Sequence, residues 1–301
     1  MSVSRPGKVI VAGAGLMGRG IAHAFASSGY QTVLTDISAG TLADATAAIG
    51  QILDSGVSLG KLAVDEAAAA KARLSSTTDL AAAAAGATLL IETVSENLAT
   101  KIAVLTEALP HLADECLIAS NSSALSVTEI ARATARGARV IGMHFFNPVH
   151  KMKLVELVRG LETGDEAVAE ARMHVAALGK TAILVSDSPG LTTSRMSAML
   201  GNEAMYMLME GTASAEDIDT AHRMGFNHPL GPLELGDVTG WDTRLAVLRY
   251  LHQTLGEKYR PCPLIIKMVA AGRHGRKTGA GVYDYRDGVR VPGSGIRASI
   301  S

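Results

Sequence analysis

Aromatic side chains are scarce in this sequence: four phenylalanines, six tyrosines and one tryptophan in 301 residues. Cysteine is scarcer, with only Cys116 and Cys262. Lying far apart, they offer no metal-ligand spacing and read as packed free thiols in a reducing compartment; no metal centre is expected. An excess of one charge is also missing. Lys and Arg total 28 against 29 Asp and Glu, for a net charge of −1, with no acidic or basic block. That argues against nucleic acid or an anionic membrane as the main partner. Long hydrophobic runs are absent too. The stretch from Leu80 to Ile91 is bounded by Asp79 and Glu92, and the N-terminal one is cut by Arg19 and His23. Neither a membrane span nor a signal peptide is expected, and the reading is a soluble, cytoplasmic protein.

What is present is a long chain with 48% hydrophobic residues, enough for two cores. Seven short β-rich runs stand out: "KVIVAG", "QTVLTD", "TLLIETV", "CLIAS", "RVIGMHFF", "KLVELV" and "AILVSD". Mostly separated by helical segments, they predict an α/β Rossmann-type domain with a mainly parallel sheet over residues 1–187. Between Ser38 and Thr77 come two Ala-rich stretches, "LADATAAIGQILDSG" and "VDEAAAAKARLS". They predict a helical hairpin insertion, turned at Gly56 and Gly60. After Pro189-Gly190 the pattern becomes almost wholly helical, including one stretch "LELGDVTGWDTRLAVLRYLHQTLG". An all-α domain is expected over 188–285, and the Gly/Ser-rich residues 286–301 read as a disordered tail. The methionines from Met196 to Met209 fall at helical spacing and favour packing or a subunit interface over a ligand surface. With the Leu-rich helices, they predict a homodimer built on the helical domain.

Gly13-Ala14-Gly15-Leu16-Met17-Gly18 fits G-x-G-x-x-G. The spacing alone is weak, but it follows a strand, opens a helix, and precedes an acidic residue, Asp36, at the end of the next strand. Gly13 permits the tight turn, Gly15 lets backbone approach a pyrophosphate, and Gly18 permits close helix–strand packing. The helix N-terminus, with Leu16 and Met17, faces the anion. Asp36 suits a ribose hydroxyl and repels a 2′-phosphate, with Ile37 and Ser38 rather than an arginine beyond it. The cofactor expected is therefore NAD, not NADP.

"HFFNPVHKMKLVE" places two of the four phenylalanines beside His144. The preceding strand would end near the sheet edge where such folds bind ligands. The Asn147-Pro148 turn would send the chain back, bringing Glu156 beside His144. A buried carboxylate would fix the imidazole tautomer and stabilise the imidazolium formed on proton uptake, with Phe145 and Phe146 shielding the pair. Oxidation of an alcohol by NAD needs such a base.

These segments, with "IETVSENLATK", "IASNSSALSVTEIA", "DSPG", "EDIDTAHRMGFNHPLGPLELGD" and "GRKTGAGVYDY", resemble the short-chain 3-hydroxyacyl-CoA dehydrogenase family from residue 8 to about 285. "HFFNP" with its spaced Glu is the most specific. The resemblance implies NAD-dependent oxidation of a short L-3-hydroxyacyl-CoA to the 3-oxoacyl-CoA, and the reverse. It implies His144 as general base, Glu156 as its partner, and Ser123 on the reacting oxygen and the His. It implies that Asn147 orients nicotinamide and substrate, and that Glu96 and Lys101 contact the cofactor. Read without the resemblance, Ser123 is a turn residue and Glu96 with Lys101 a solvated helix start.

Three positions depart from the family pattern. Ser194 stands where relatives carry a substrate-binding Asn; its hydroxyl can still donate a hydrogen bond. Ser55 and Leu59 stand where bacterial relatives often place lysines for CoA phosphates, leaving Lys61 as the nearest cation. Those hairpin residues favour an alternative, a dehydrogenase for a free 3-hydroxy acid like gulonate dehydrogenase, while "HFFNP" opposes it. A non-catalytic dinucleotide-binding protein is the third reading, opposed by the intact set His144, Glu156, Ser123 and Asn147.

Overall fold

In the computed structural model, which describes residues 7–296, the apolar run Lys8–Ala12 forms β1, buried on both faces as a central parallel strand requires. The chain divides at Ser188/Pro189. The first unit continues with α1 (Leu16–Ser27), β2 (Gln31–Thr35), α2 (Ala39–Ser58), α3 (Val64–Arg73), β3 (Leu74–Thr77), α4 (Leu80–Ala84) and β4 (Ala87–Glu92). It closes with α5 (Leu98–Ala108), β5 (Leu117–Ser120), α6 (Val127–Arg132), β6 (Val140–Phe145), β7 (Leu154–Arg159), α7 (Asp165–Ala177) and β8 (Thr181–Ser186). The sheet order is β3-β2-β1-β4-β5-β6-β7-β8. Strands β1 to β6 run parallel; β7 turns back antiparallel to β6, and β8 runs with β7. Val9, Val11, Leu89, Ile91 and Ile141 pack in one core with Ile21 and Phe25 of α1 and Ala167 and Val175 of α7.

The insertion is a hairpin of α2 and α3. Ser38 caps α2 by accepting from Thr41 N at 3.1 Å, and Leu42, Ala45, Ile49 and Leu53 form its buried stripe. One strand escaped the sequence reading. "LSST" looked like the end of a helix, yet Leu74–Thr77 pairs parallel with β2 as an edge strand. At an edge only half of a strand's groups need partners, so a polar run suffices.

The second unit contains α8 (Thr193–Met209), α9 (Ala215–Phe226), α10 (Pro232–Thr239), α11 (Trp241–Leu255) and α12 (Pro263–Ala270). The stretch read as one helix is two, broken at Gly240, whose φ of 95° lies outside helical space. Two buried aspartates organise this unit. Asp219 accepts from Leu233 N at 2.8 Å, Glu234 N at 3.0 Å and Tyr283 OH at 2.8 Å. Asp237 accepts from Trp241 Nε1 at 2.6 Å, Val282 N at 2.7 Å and Tyr283 N at 2.8 Å. The segments "EDIDTAHRMGFNHPLGPLELGD" and "GRKTGAGVYDY" thus meet as structural partners.

The expected disordered tail needs correcting. Tyr285–Arg286 and Val289–Arg290 pair as strands β9 and β10, turned at Asp287-Gly288 with φ of 50° and 74°. An Asp-Gly pair with positive φ at both residues is a favoured hairpin turn, so the glycines here mark turns rather than disorder. Ile296 N donates to Val282 O at 2.9 Å, tying the segment down. Residues 297–301 lie outside the described residues. Among the described residues no helix is long and apolar enough to cross a membrane.

Candidate active site

The β1–α1 turn forms one wall of a cleft of about 370 Å³ lined by Gly13, Gly15, Asp36, Ile37, Thr93, Val94 and Ser95, among others. Each glycine of the turn answers a different constraint. Gly13 has φ of 102°, and a Cβ there would meet Thr93 carbonyl carbon at 2.9 Å. A Cβ on Gly18 would lie 1.8 Å from Gly13 O. Gly15 differs: a Cβ there would meet nothing within 4 Å. The protein itself has no need of glycine at that position, whereas a diphosphate lying against the backbone does. Helix α1 begins here with no side-chain cap, so its first N–H groups are available to an anion. Leu16 is exposed and Met17 half-buried in that first turn. Asp36 Oδ2 accepts from Ala14 N at 2.9 Å and Oδ1 from Ser38 N at 3.0 Å. Each oxygen keeps a lone pair for a ribose hydroxyl. Ile37, 97% exposed, offers an apolar face beside it. These residues fit an NAD molecule.

On the same side of the sheet, β6 ends at Phe145 and β7 returns with His144 directly opposite Glu156. His144 Nδ1 lies 2.8 Å from Glu156 Oε2. The Glu156 side chain is fully buried and His144 is 8% exposed, so little water screens the pair. With Nδ1 held by the carboxylate, Nε2 is the nitrogen left to exchange a proton. Phe146 packs on the imidazole with ring centroids 4.6 Å apart. Phe145 does not share that role. Strand alternation sends it into the core, where it is 2% exposed. Asn147, exposed, enters the cis Asn147-Pro148 bond. The loop behind it is pinned by Lys180, whose Nζ donates to Val149 O at 2.6 Å and Met152 O at 2.7 Å.

Lys101 and Glu96 sit differently from a solvated helix start. Lys101, 1% exposed, reaches Glu92 Oε1 at 3.0 Å, Glu92 Oε2 at 3.1 Å and Glu96 Oε2 at 3.2 Å. Glu96 Oε1 accepts from Ser122 Oγ at 2.6 Å, Ser123 N at 2.9 Å and Ala124 N at 3.0 Å. Burial alone would raise the Glu96 carboxyl, but the Ser122 hydroxyl, the Lys101 ammonium and the Ala124 amide hold it below its ordinary value. Burial pushes Glu92 the other way, above the usual carboxylate range, against Lys101 and Ser120. Among the described residues the Ser123 hydroxyl finds Glu96 at 3.5 Å rather than His144.

Ser194 lies in the first turn of α8 in the second unit, and Lys61 is exposed at the hairpin tip. The hairpin is not a basic surface: Lys71 is paired with Asp54 at 2.6 Å. Sequence reading passed over Glu92, Asn121 and Ser122. Asn121 Oδ1 accepts Phe145 N at 2.9 Å, next to His144. A signal existed for Glu92, since a charge closing an apolar strand run must find a partner when buried.

The sequence matches two family descriptions: "3-hydroxyacyl-CoA dehydrogenase, NAD binding domain" over residues 8–188 and "3-hydroxyacyl-CoA dehydrogenase, C-terminal domain" over 190–285. A 3-hydroxybutyryl-CoA dehydrogenase of Bradyrhizobium diazoefficiens is 44% identical over 288 residues, covering 95% of this chain and 97% of that protein. A 3-hydroxyadipyl-CoA dehydrogenase of Escherichia coli is 39% identical, covering 92% of this chain and 59% of that protein. The crystal structure of an (S)-3-hydroxybutyryl-CoA dehydrogenase from Ralstonia eutropha superposes with a TM-score of 0.90 at 42% identity, covering 93% of this chain and 99% of that one.

Proposed function

Because the chain belongs to the 3-hydroxyacyl-CoA dehydrogenase family, we propose that it oxidises short-chain L-3-hydroxyacyl-CoA to the 3-oxoacyl-CoA with NAD, and runs the reverse. The observation that carries the chemistry is the His144–Glu156 pair, buried at 2.8 Å on the cofactor-binding sheet. When bound, NAD would supply the acceptor for the hydride on C3 of the substrate. His144 Nε2 takes the hydroxyl proton as the hydride leaves, and returns it in reduction. Glu156 holds the ring through Nδ1 and stabilises the imidazolium. Ser123 and Asn147 would contact the reacting oxygen and the nicotinamide side, and Lys61 the substrate. Glu96 and Lys101 shape the cofactor wall. The test is NADH oxidation with acetoacetyl-CoA against free acetoacetate; the names of the relatives favour the thioester over a free 3-hydroxy acid.

Asp36 is proposed to set the cofactor preference, since a 2′-phosphate beside its carboxylate would meet like charge. The catalytic efficiency with NAD should exceed that with NADP, and Asp36→Ala should weaken NAD more than NADP. Equal efficiencies in the wild-type protein would overturn this assignment.

A homodimer on the second unit is supported by Met196 and Leu200, 59% and 45% exposed one helical turn apart on α8. Sedimentation velocity at micromolar concentration should give a dimer, and Met196→Asp with Leu200→Asp should give a monomer. A wild-type monomer would remove the proposal. A cytoplasmic location suits the two thiols, Cys116 and Cys262, both free and buried.

A further inference from the structure

We propose that Glu92, a residue with no role assigned above, is a positioning residue that sets the cofactor wall, the Ser123 turn and the His144 strand end in register. The inference rests on the functional reading just given. Its starting point is an expensive arrangement: Glu92 is 0% exposed and Lys101 1%. Stability alone does not account for this, because a packed apolar pair of similar volume generally does as well as a buried ion pair. The partners of Glu92 suggest what does.

Glu92 closes β4, between Ala12 of β1 and Ser120 of β5. Its Oε1 accepts from Val94 N at 2.7 Å, fixing the loop that lines the cleft. Its Oε2 accepts from Ser120 Oγ at 2.7 Å. Lys101 of α5 bridges both oxygens and carries the link to Glu96, which holds the amides of Ser123 and Ala124. The Glu92 backbone carbonyl accepts Asn121 N at 2.9 Å, and Asn121 in turn holds the amide beside His144. One side chain and its own carbonyl therefore connect the cleft loop at Val94, the Ser123 turn and the amide beside His144. Glu92 is buried beneath them and acts only through them.

Glutamine keeps the length of Glu92 but loses the charge, and its amide group would face donors at Val94, Ser120 or Lys101. For Glu92→Gln, kcat with acetoacetyl-CoA should fall by about tenfold or more, as small displacements of reacting groups do. The Kd for NADH, read by fluorescence titration, should change by less than about threefold, because the glycine turn and Asp36 hold the dinucleotide independently. If Glu92→Gln does not fold, Ser120→Ala carries the same test: it removes one donor, keeps the ion pair, and should lower kcat by about threefold with NADH affinity unchanged. Folded variants that lose thermal stability yet keep wild-type kcat overturn the proposal. So does an NADH Kd that rises as far as kcat falls. Wild-type protein that oxidises no NADH with acetoacetyl-CoA overturns the functional reading. A Glu92→Gln enzyme at wild-type kcat beside an inactive His144→Gln enzyme overturns the positioning role alone.

Discussion

His144→Gln is expected to lower turnover by about 10²- to 10⁴-fold, the range lost with a general acid–base group. Glutamine preserves much of the size of the imidazole and can hydrogen-bond Glu156, so the fold of β6 and β7 should survive. What it cannot do is cycle a proton at the position of Nε2. Hydride cannot leave C3 while the hydroxyl keeps its proton, so the loss falls on kcat. NADH affinity should barely move, because the dinucleotide is held in the cleft by the β1–α1 turn and Asp36, whose contacts do not involve His144. Glu156→Gln should also slow turnover, by less, since the ring stays in place while the imidazolium loses its counter-charge. Stopped-flow measurement of NADH oxidation separates these effects from product release. A His144→Gln enzyme with near-normal turnover would refute the mechanism, and leave Phe146 with only packing to explain its place on the ring.

The contrast between what the sequence disclosed and what it hid follows from how local each constraint is. The glycine turn and Asp36 were legible because a strand, a turn and a helix lie within one short segment, each with its own composition signal. The His144–Glu156 pairing was legible because only a short loop, residues 146–153, opening with the Asn-Pro turn signal, separates the two strands, and antiparallel return brings the two residues opposite one another. Glu92 was only half legible: a charge closing an apolar run must find a partner when buried, but Ser120 is brought to it by a parallel crossover, and no spacing along the chain records that meeting. Asp219 and Asp237 were hidden for the same reason: Tyr283, a partner of both, lies 64 and 46 residues away. Strand β3 failed differently, because an edge position tolerates a polar sequence that carries no β pattern. Glycine-rich composition was read as disorder after residue 285, where the Asp287-Gly288 dipeptide was a hairpin turn signal.

The glycines of the turn give the second large expectation, because two of them should fail in opposite ways. Gly15 has φ of −67° and open space where a Cβ would project. Gly15→Ala should therefore fold with the wild-type melting temperature. Its methyl group would occupy the approach to the diphosphate, and losing a charge-assisted backbone hydrogen bond there costs about 1.5–3 kcal/mol, roughly 10- to 100-fold in NADH Kd. Gly18 is the reverse case. Its Cβ would lie 1.8 Å from Gly13 O and 2.7 Å from Thr93 Oγ1, which itself donates to Ala12 O at 2.9 Å and Gly13 O at 2.8 Å. Backbone cannot yield there without parting α1 from β1, so overpacking should cost about 1–3 kcal/mol or more of stability and carry cofactor binding down with it. Thermal unfolding and NADH titration on the two variants separate the cases. Gly15→Ala that binds NADH like the wild type would mean that no phosphate approaches that backbone. Gly18→Ala that keeps wild-type stability would mean that α1 and β1 are not held at the separation described.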